Sequence, residues 1–458
     1  MSVVRLALLT GSLCVTALQP VPAQPVLAPK VVEVTPPGAR RPAEVSVAIN
    51  PTNLDHVIAV LMDSGGPGEP RITNWAYTSV DGGMTWKGAP AQNAERRVQG
   101  DDAVTFGRDG VAFHSYISFD GIRVERPERA WSGIFVRSSK DGAAWHAPVA
   151  VVDHVNTAIP FEDKPWLGVD RGDVSPHRGN VYVAWTRFDV YGSENPAHRS
   201  HIMISRSRDG GRTFSTPLEI SDETGDARDS DDTVEGAVPV AGPKGEVYIA
   251  WAGPKGIYFD SSTDGGWTFG KDSVITAMPG GWDSPVPGLE RHNGMPVTAV
   301  DLSDGANRGA VYVNWIDARN GDLDVFVAAS RDGGRTWSAP VRVNDDGKGG
   351  TQMFTWLAVD PVDGALNVVY HDRKGATAAA PTGVTLARSV DGGKTFKTYP
   401  VPIASFECCG ASPFFGDYNG IDAHGGRVVA VFPVLTAGGR QRVQAAVARF
   451  RPGTQELQ

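Results

Sequence analysis

Short runs of alternating apolar and polar residues recur along most of the chain, separated by glycine-rich polar stretches. The run DVFVAAS (324–330) leads into SRDGGRTW (330–337), and a second run, APVRVND (339–345), follows it. Period-two alternation of this length predicts strands, and the polar stretch between two such runs predicts a hairpin turn. Close copies of that stretch are SVDGGMTW (79–86), SKDGAAW (139–145, one residue short), SRDGGRTF (207–214), STDGGWTF (262–269) and SVDGGKTF (389–396). Recurrence at a spacing of 55 to 68 residues is the mark of a repeated supersecondary unit.

Upstream of each turn the pattern predicts two more strands. One set reads HVIAVL (56–61), GVAFHSY (110–116), VYVAW (181–185), EVYIAW (246–251), AVYVNW (310–315), LNVVYH (366–371) and RVVAVF (427–432). An innermost set precedes it: EVSVAIN (44–50), DDAVTFG (101–107), KPWLGVD (164–170), EGAVPVA (235–241), GMPVTAVD (294–301), FTWLAVD (354–360) and YNGIDAH (418–424). Both sets have seven members, one more than the turns. The last unit ends on VQAAVARF (443–450) and lacks a fourth strand, while KVVEVTP (30–36) stands before the first unit with none of its own. Pairing these two would close a ring. The fold expected is therefore all-β, a single β-propeller of seven four-stranded blades completed by an N-terminal strand, with six blades as the alternative.

The turn chemistry needs no catalytic role. An Asp carboxylate can accept backbone N–H bonds inside the turn, the glycines can take positive φ, and the Ser and Thr hydroxyls can bond locally. The pattern S-x-D-x-G-x-T-W resembles the Asp-box, or BNR repeat, of sialidases and related glycoside hydrolases, and it recurs over nearly the whole mature chain. The resemblance implies a propeller, an extracellular setting, and boxes on the face away from the site. It implies chemistry more weakly, because fold alone does not carry function. The family's Arg-Ile-Pro signature has no counterpart, EPRITNW placing Thr73 where Pro should follow, and its propellers usually have six blades.

Composition agrees with a turn-rich β protein: 458 residues, with 54 Gly, 33 Pro and 21% charged residues. A formal net charge of −9 provides no basic footprint for nucleic acid or an anionic membrane. Arg5, the apolar run from Leu6 to Leu18 and Val21 and Ala23 read as a secretory signal cleaved near Ala23, too short to span a bilayer. The expected divisions are a leader over 1–23, an N-terminal segment with the closing strand over 24–42, the propeller over 43–452 and a tail over 453–458. Export to the periplasm or beyond, a monomeric state and a glycan or polysaccharide ligand follow from the same reading. Past the leader, only Cys408 and Cys409 remain. A disulfide between neighbours, whose Cα atoms lie about 3.8 Å apart, would be strained and local; two thiols are the alternative.

Blade geometry directs attention to the face opposite the turns, where loops lead into the innermost strands. Those loops carry Glu44, Asp101 and Asp102, Glu162 and Asp163 with Lys164, Asp231, Asp232 and Glu235, then Arg291, His292 and Asn293, Gln352, and Asp417 with Tyr418 and Asn419. Paired carboxyls at an axis can serve glycoside cleavage as acid and as base or nucleophile, or can simply bond the N–H groups of neighbouring blades. Asp163, Asp417, Tyr418 and Glu162 are the catalytic candidates, with Asp102 and Trp166 as substrate contacts. Arg187, Arg319 and Arg373 each follow an aromatic strand end. Three such forks would suit an anionic sugar, as a sialidase needs, unless each pairs locally with Asp189, Asp317 or Asp372. No motif demands a cofactor. The acidic loops SDETGDARDSDDTVE (221–235) and the one with Asp317, Asn320, Asp322 and Asp324 suit Ca²⁺ by ligand hardness, or are solvated acidic loops.

Overall fold

A computed structural model describes residues 27–64, 72–92, 98–120, 130–377, 379–408 and 413–458. The leader, Arg71 and Cys409 lie outside the described residues. Every regular element among those described is a strand, and the strands form seven antiparallel sheets, each the blade of a propeller. Six have four strands and the third has a short fifth, Gly225–Asp226, beside Arg199–Ser207. The innermost strands are Pro42–Ile49, Val98–Phe106, Phe161–Val169, Glu235–Ala241, Val297–Val300, Thr351–Val359 and Gly420–His424.

The ring closes as the unpaired N-terminal run requires. Lys30–Glu33 pairs antiparallel with Gln441–Arg449, Lys30 opposite Val447 and Glu33 opposite Gln444, and becomes the fourth strand of blade 7. Second strands are buried on both faces, between neighbouring blades, which is why they read as near-continuous apolar runs. Trp185, Trp251 and Trp315, at matching places in blades 3, 4 and 5, are fully buried.

The recurrent turns join third to fourth strands, as their flanking pattern requires. In the fifth blade Asp332 Oδ1 accepts from Ser330 Oγ at 2.9 Å and Thr336 N at 2.9 Å, while Oδ2 accepts from Thr336 Oγ1 at 2.7 Å. Gly333 and Gly334 take φ of 75° and 89°, left-handed backbone that a side chain would strain. Asp81, Asp209, Asp264 and Asp391 repeat the arrangement. In the shortened copy Asp141 bonds the amides of Ala143 and Ala144 instead. Two of the turns are also tied outward: Gly82 N bonds Asp55 O in the first hairpin of its own blade at 2.8 Å, and Gly266 O accepts from Arg206 Nη1 of the preceding blade at 2.6 Å. Antiparallel order puts all these turns at one end of the ring and the starts of the innermost strands at the other.

Those starts differ from the sequence expectation. The innermost strands of blades 1, 2, 3 and 6 begin two or three residues earlier than the apolar pattern shows, so Asp101, Asp102, Glu162, Asp163 and Lys164 stand within strands and not in loops. The cause is a bulge repeated at one level in five blades, at Glu44, Asp101, Lys164, Gly236 and Phe354. These five residues have φ of 51°, 51°, 49°, 77° and 51°. Glycine is usual at this position of such a bulge, and a left-handed non-glycine residue costs about 1–3 kcal/mol. Four such residues on one rim concentrate strain there.

Candidate functional site at the mouth of the ring

At the bulged end, the Lys164 ammonium gathers acids from three blades. Its Nζ lies 2.8 Å from Glu235 Oε1, 3.1 Å from Asp417 Oδ2 and 3.5 Å from Asp163 Oδ2. Two oxygens bound to one centre are no farther apart than their two legs, so the Asp163 and Asp417 oxygens are within about 6.6 Å of each other. Glu44 and Asp101 continue the row: Asp101 N donates to Glu44 Oε2 at 3.3 Å and Lys164 N donates to Asp101 Oδ2 at 3.2 Å. All of these side chains are buried.

Blades 5 and 7 lack the bulge, and long loops lead into their shorter innermost strands. The loop before blade 5 supplies Arg291, whose Nε lies 3.0 Å from Asp417 Oδ1 and whose Nη1 lies 3.1 Å from Asp229 Oδ2. Asp229 also accepts from Tyr191 OH at 2.7 Å and Trp282 Nε1 at 3.1 Å. Arg291 is the partly open member, with 30% of its side chain exposed. It borders a cleft of about 270 Å³ walled by Asp229, Trp282, Asp283, Leu289, Glu290 and His292. The loop is pinned over the mouth by Arg373 Nη1 to Pro287 O at 2.7 Å and Glu290 N to Pro413 O at 3.3 Å. Beneath the cluster Trp166 and Trp356 meet at 4.3 Å between ring centroids, and Tyr418 packs edge-on to Trp166 at 4.9 Å. This aromatic floor stands above the axial channel between the innermost strands.

Burial acts on every member of the cluster, because a charge loses its hydration there. Desolvation raises Asp163 to about 8 against the pull of Lys164, and raises Asp101 to about 7 with Glu44 adding repulsion. Glu44 rises to about 7 through burial and then the Asp417 charge; Glu235 rises well above the carboxylate range through burial and Asp229. Asp229 moves the other way: Lys164 and Arg291 overcome its desolvation and hold it well below the usual range. The mouth thus places carboxyls pushed up by burial beside one held down by two cations, environments that separate the proton affinities of neighbouring acids.

The remaining residues singled out from sequence go elsewhere. Glu162 is fully buried inside blade 3, where His154, Trp185 and both Nε and Nη2 of Arg187 converge on it at 2.5–2.9 Å. Arg187 therefore pairs with Glu162 and not Asp189. Arg319 does pair with Asp317, from Nε at 2.9 Å and Nη2 at 2.5 Å, and lies 4.8 Å from the Phe326 ring centroid. Arg373 is fully buried under the Pro287 loop and donates to Thr382 Oγ1 at 3.2 Å, leaving Asp372 to Lys374 at 2.5 Å. The three arginines are thus held separately in blades 3, 5 and 6. Asp102 turns into blade 2 against His114, whose Nδ1 accepts from Arg137 Nε at 2.9 Å. Trp166 belongs to the floor, and Tyr418 OH donates to the Asp102 carbonyl at 3.3 Å.

Asp317, Asp322 and Asp324 do not converge. Besides the Arg319 pair, Asp324 receives Asn320, Arg342 and Asn344, and Asp322 receives Gly349 N at 2.6 Å. Among the described residues no three His, Cys, Asp or Glu side chains are placed to hold a metal ion. Cys408 is buried. Sequence reading noted Lys164, Glu235, Asp101 and Glu44 as neighbours of the axis without seeing them as one cluster. Arg291 and Asp229 carried no signal beyond position, in a strand approach and in an acidic loop.

No protein-family model matches the chain, and no curated protein sequence matches it. Solved structures do. The NanB sialidase of Streptococcus pneumoniae is similar with a TM-score of 0.50 and 8% identity, over 92% of this chain and 98% of that one. The GH93 alpha-L-arabinofuranosidase of Fusarium graminearum matches with a TM-score of 0.48 and 12% identity, over 92% and 97%. The Hadza microbial sialidase Hz136 matches with a TM-score of 0.46 and 15% identity, over 88% and 74%. At these identities the likeness is one of fold.

Proposed function

We propose that this is an exported, glycan-active propeller of Asp-box type whose site is the Lys164 cluster at the mouth of the ring. One observation carries the reading: Lys164 holds Asp163, Glu235 and Asp417, from three blades, around a single point, and Arg291 opens that point to a cleft. The propeller fold shared with NanB sialidase supports it at the level of architecture, and the leader-like residues 1–23 support the export.

In the catalytic form of the proposal, Asp163 is the general acid. It keeps its proton through neutral pH and can pass it to a leaving-group oxygen. Asp417, between Lys164 and Arg291, is the base or nucleophile on the other side of the bond. Lys164 positions both carboxyls. Tyr418 serves as floor: it is buried, bonded to a backbone carbonyl, and burial holds its phenol well above its usual value.

The depth of the carboxyls favours a second reading, a propeller that binds a polysaccharide or protein without cleaving it. Asp163 and Asp417 are no more than 7% and 3% exposed, and their cations already occupy them. A hydrolysis screen over oligosaccharides and aryl glycosides, run beside a direct binding assay, separates the two. Turnover that disappears in Asp163→Asn and Asp417→Asn, with the fold retained, establishes cleavage. Binding without turnover establishes the second reading, and neither binding nor turnover defeats both.

A further inference from the structure

We propose that the far end of the axial channel, on the face of the recurrent turns, binds a small organic acid by its carboxylate. This place is separate from the Lys164 cluster, which lies at the other end of the same innermost strands. In blade 3 the strand Phe161–Val169 runs from one to the other, so Lys164 and Arg171 stand roughly 20 Å apart.

A simple rule of position builds the opening. The residue two places beyond the innermost strand is Pro51 in blade 1, Arg108 in blade 2, Arg171 in blade 3, Pro243 in blade 4, Leu302 in blade 5 and Pro361 in blade 6. Proline or leucine thus makes an apolar collar, and two adjacent blades interrupt it with arginine. Pro51, Leu302 and Pro361 wall a cleft of about 280 Å³ that Arg108 and Arg171 also border. That volume is near the lower limit of about 300 Å³ for small-ligand sites, so the occupant is small.

Arg171 is the group that calls for an anion. Its Nε–H is buried and has no hydrogen-bond partner, and the guanidinium forms no ion pair among the described residues. The other charges of the opening are engaged. Arg108 pairs with Asp173 in the same wall. Asp422, inside the channel, accepts backbone amides on both oxygens, Ile49 N at 2.7 Å on Oδ2 and Ala423 N at 2.8 Å on Oδ1. Desolvation raises the Asp422 carboxyl, and the Arg171 charge opposes that rise without contact. The hairpin carrying Arg171 is held in place: Asp170 Oδ1 accepts from Gly172 N at 2.9 Å, and a Cβ on Gly172 would come within 2.6 Å of Pro243 O in blade 4. A guanidinium edge so placed is matched by a carboxylate, which accepts two parallel bonds from it.

The collar selects the rest of the ligand. Inorganic phosphate would meet Arg171 but make no use of the apolar wall, and Asp173 and Asp422 would repel its second charge. A monocarboxylate with a short aliphatic or aromatic body brings one charge to the fork and buries its apolar part against Pro51, Leu302 and Pro361.

The test uses the full-length protein at pH 7 and constant ionic strength. Calorimetry follows benzoate and hexanoate, their uncharged amides benzamide and hexanamide, and inorganic phosphate. The carboxylates should bind at least about tenfold more tightly than the amides, as a charge-assisted pair of bonds allows, and more tightly than phosphate. Arg171→Met should lose that preference while melting at the parent's temperature, because the guanidinium holds no other group. Equal affinity for acid and amide, or unchanged carboxylate binding in Arg171→Met, overturns the proposal. Tighter binding of phosphate overturns the organic-acid class, and no binding of any probe overturns the site. Leu302→Asp gives a second reading that does not depend on the arginine variant: a carboxylate in the collar should weaken benzoate by about tenfold, and a folded variant with no weakening counts against the proposal.

Discussion

Arg291 and Asp417 meet at 3.0 Å across the mouth of the ring, joining the loop that leads into blade 5 to the loop that leads into blade 7. Because Asp417 also touches Lys164 of blade 3, one carboxylate links three separate parts of the ring. The cluster is therefore a fastening of the fold as well as a candidate site, and variants should show both properties.

Lys164→Met leaves Asp163, Glu235 and Asp417 buried without their shared cation. Breaking one side of a buried ionic cluster costs about 3–5 kcal/mol. Urea unfolding at pH 8 should show a loss of that size. At pH 5 the loss should shrink, because Asp163, Asp101 and Glu44 are then protonated with or without the lysine.

Asp163→Asn should change the pH dependence of stability in a defined direction. The folded carboxyl titrates near 8 and the unfolded one near 3.8. Between those values the folded state binds a proton that the unfolded state has released, so stability falls as pH rises from about 4 to about 8. Asparagine keeps the shape of the protonated acid and does not titrate. Melting temperature followed from pH 5 to pH 9 should therefore decline less in the variant than in the parent, while hydrolysis, if present, should vanish.

Asp332→Ala tests the turn as scaffold. The Thr336 hydroxyl and amide hold the folded Asp332 carboxyl down to about 2 from an ordinary 3.8. Its contribution is thus present above about pH 4 and is lost as pH falls toward 2. The variant should melt at a lower temperature than the parent at pH 6, with the difference closing near pH 2. Its glycan binding and hydrolysis at pH 6 should match the parent, since the turn lies at the far end of the ring.

A chain beginning at Pro36 loses the strand Lys30–Glu33 that completes blade 7. Burial of Val34 and partial burial of Val32 alone are worth about 2–5 kcal/mol. Denaturant unfolding should show at least that loss relative to a chain beginning at Leu27.

Trp356→Ala removes one of the three rings of the aromatic floor, and a core Trp truncation costs about 3–5 kcal/mol. Tyr418→Phe removes one 3.3 Å hydrogen bond and should cost no more than about 1.5 kcal/mol. In the proposed mechanism Tyr418→Phe keeps its hydrolytic activity. Loss of turnover in a folded Tyr418→Phe variant would instead make the phenol a participant.

The blade count was legible because each blade repeats the same local bonding. Ser330, Asp332 and Thr336 find their partners within a few residues, and second strands such as VYVAW carry their double-sided burial in composition. The starts of the innermost strands were less legible. A bulge breaks the alternation at Glu44, Asp101 and Lys164, and charged residues there resemble a loop although the strand continues. Arg187 followed the same logic: its sequence neighbour is Asp189, but cross-strand pairing sets it opposite Glu162.

Sequence alone determined the repeated four-stranded unit, the N-terminal strand left over to close the ring and the end of the ring where the recurrent turns lie, with seven blades expected over six. All three depend on periodicity and short-range hydrogen bonds, which adjacent residues encode. Only the tertiary structure decided which acids meet, since Lys164 and Asp417 are brought together by ring closure and loop path. It also decided which acids keep their protons, because desolvation and charge pairing belong to the assembled site and not to any stretch of chain.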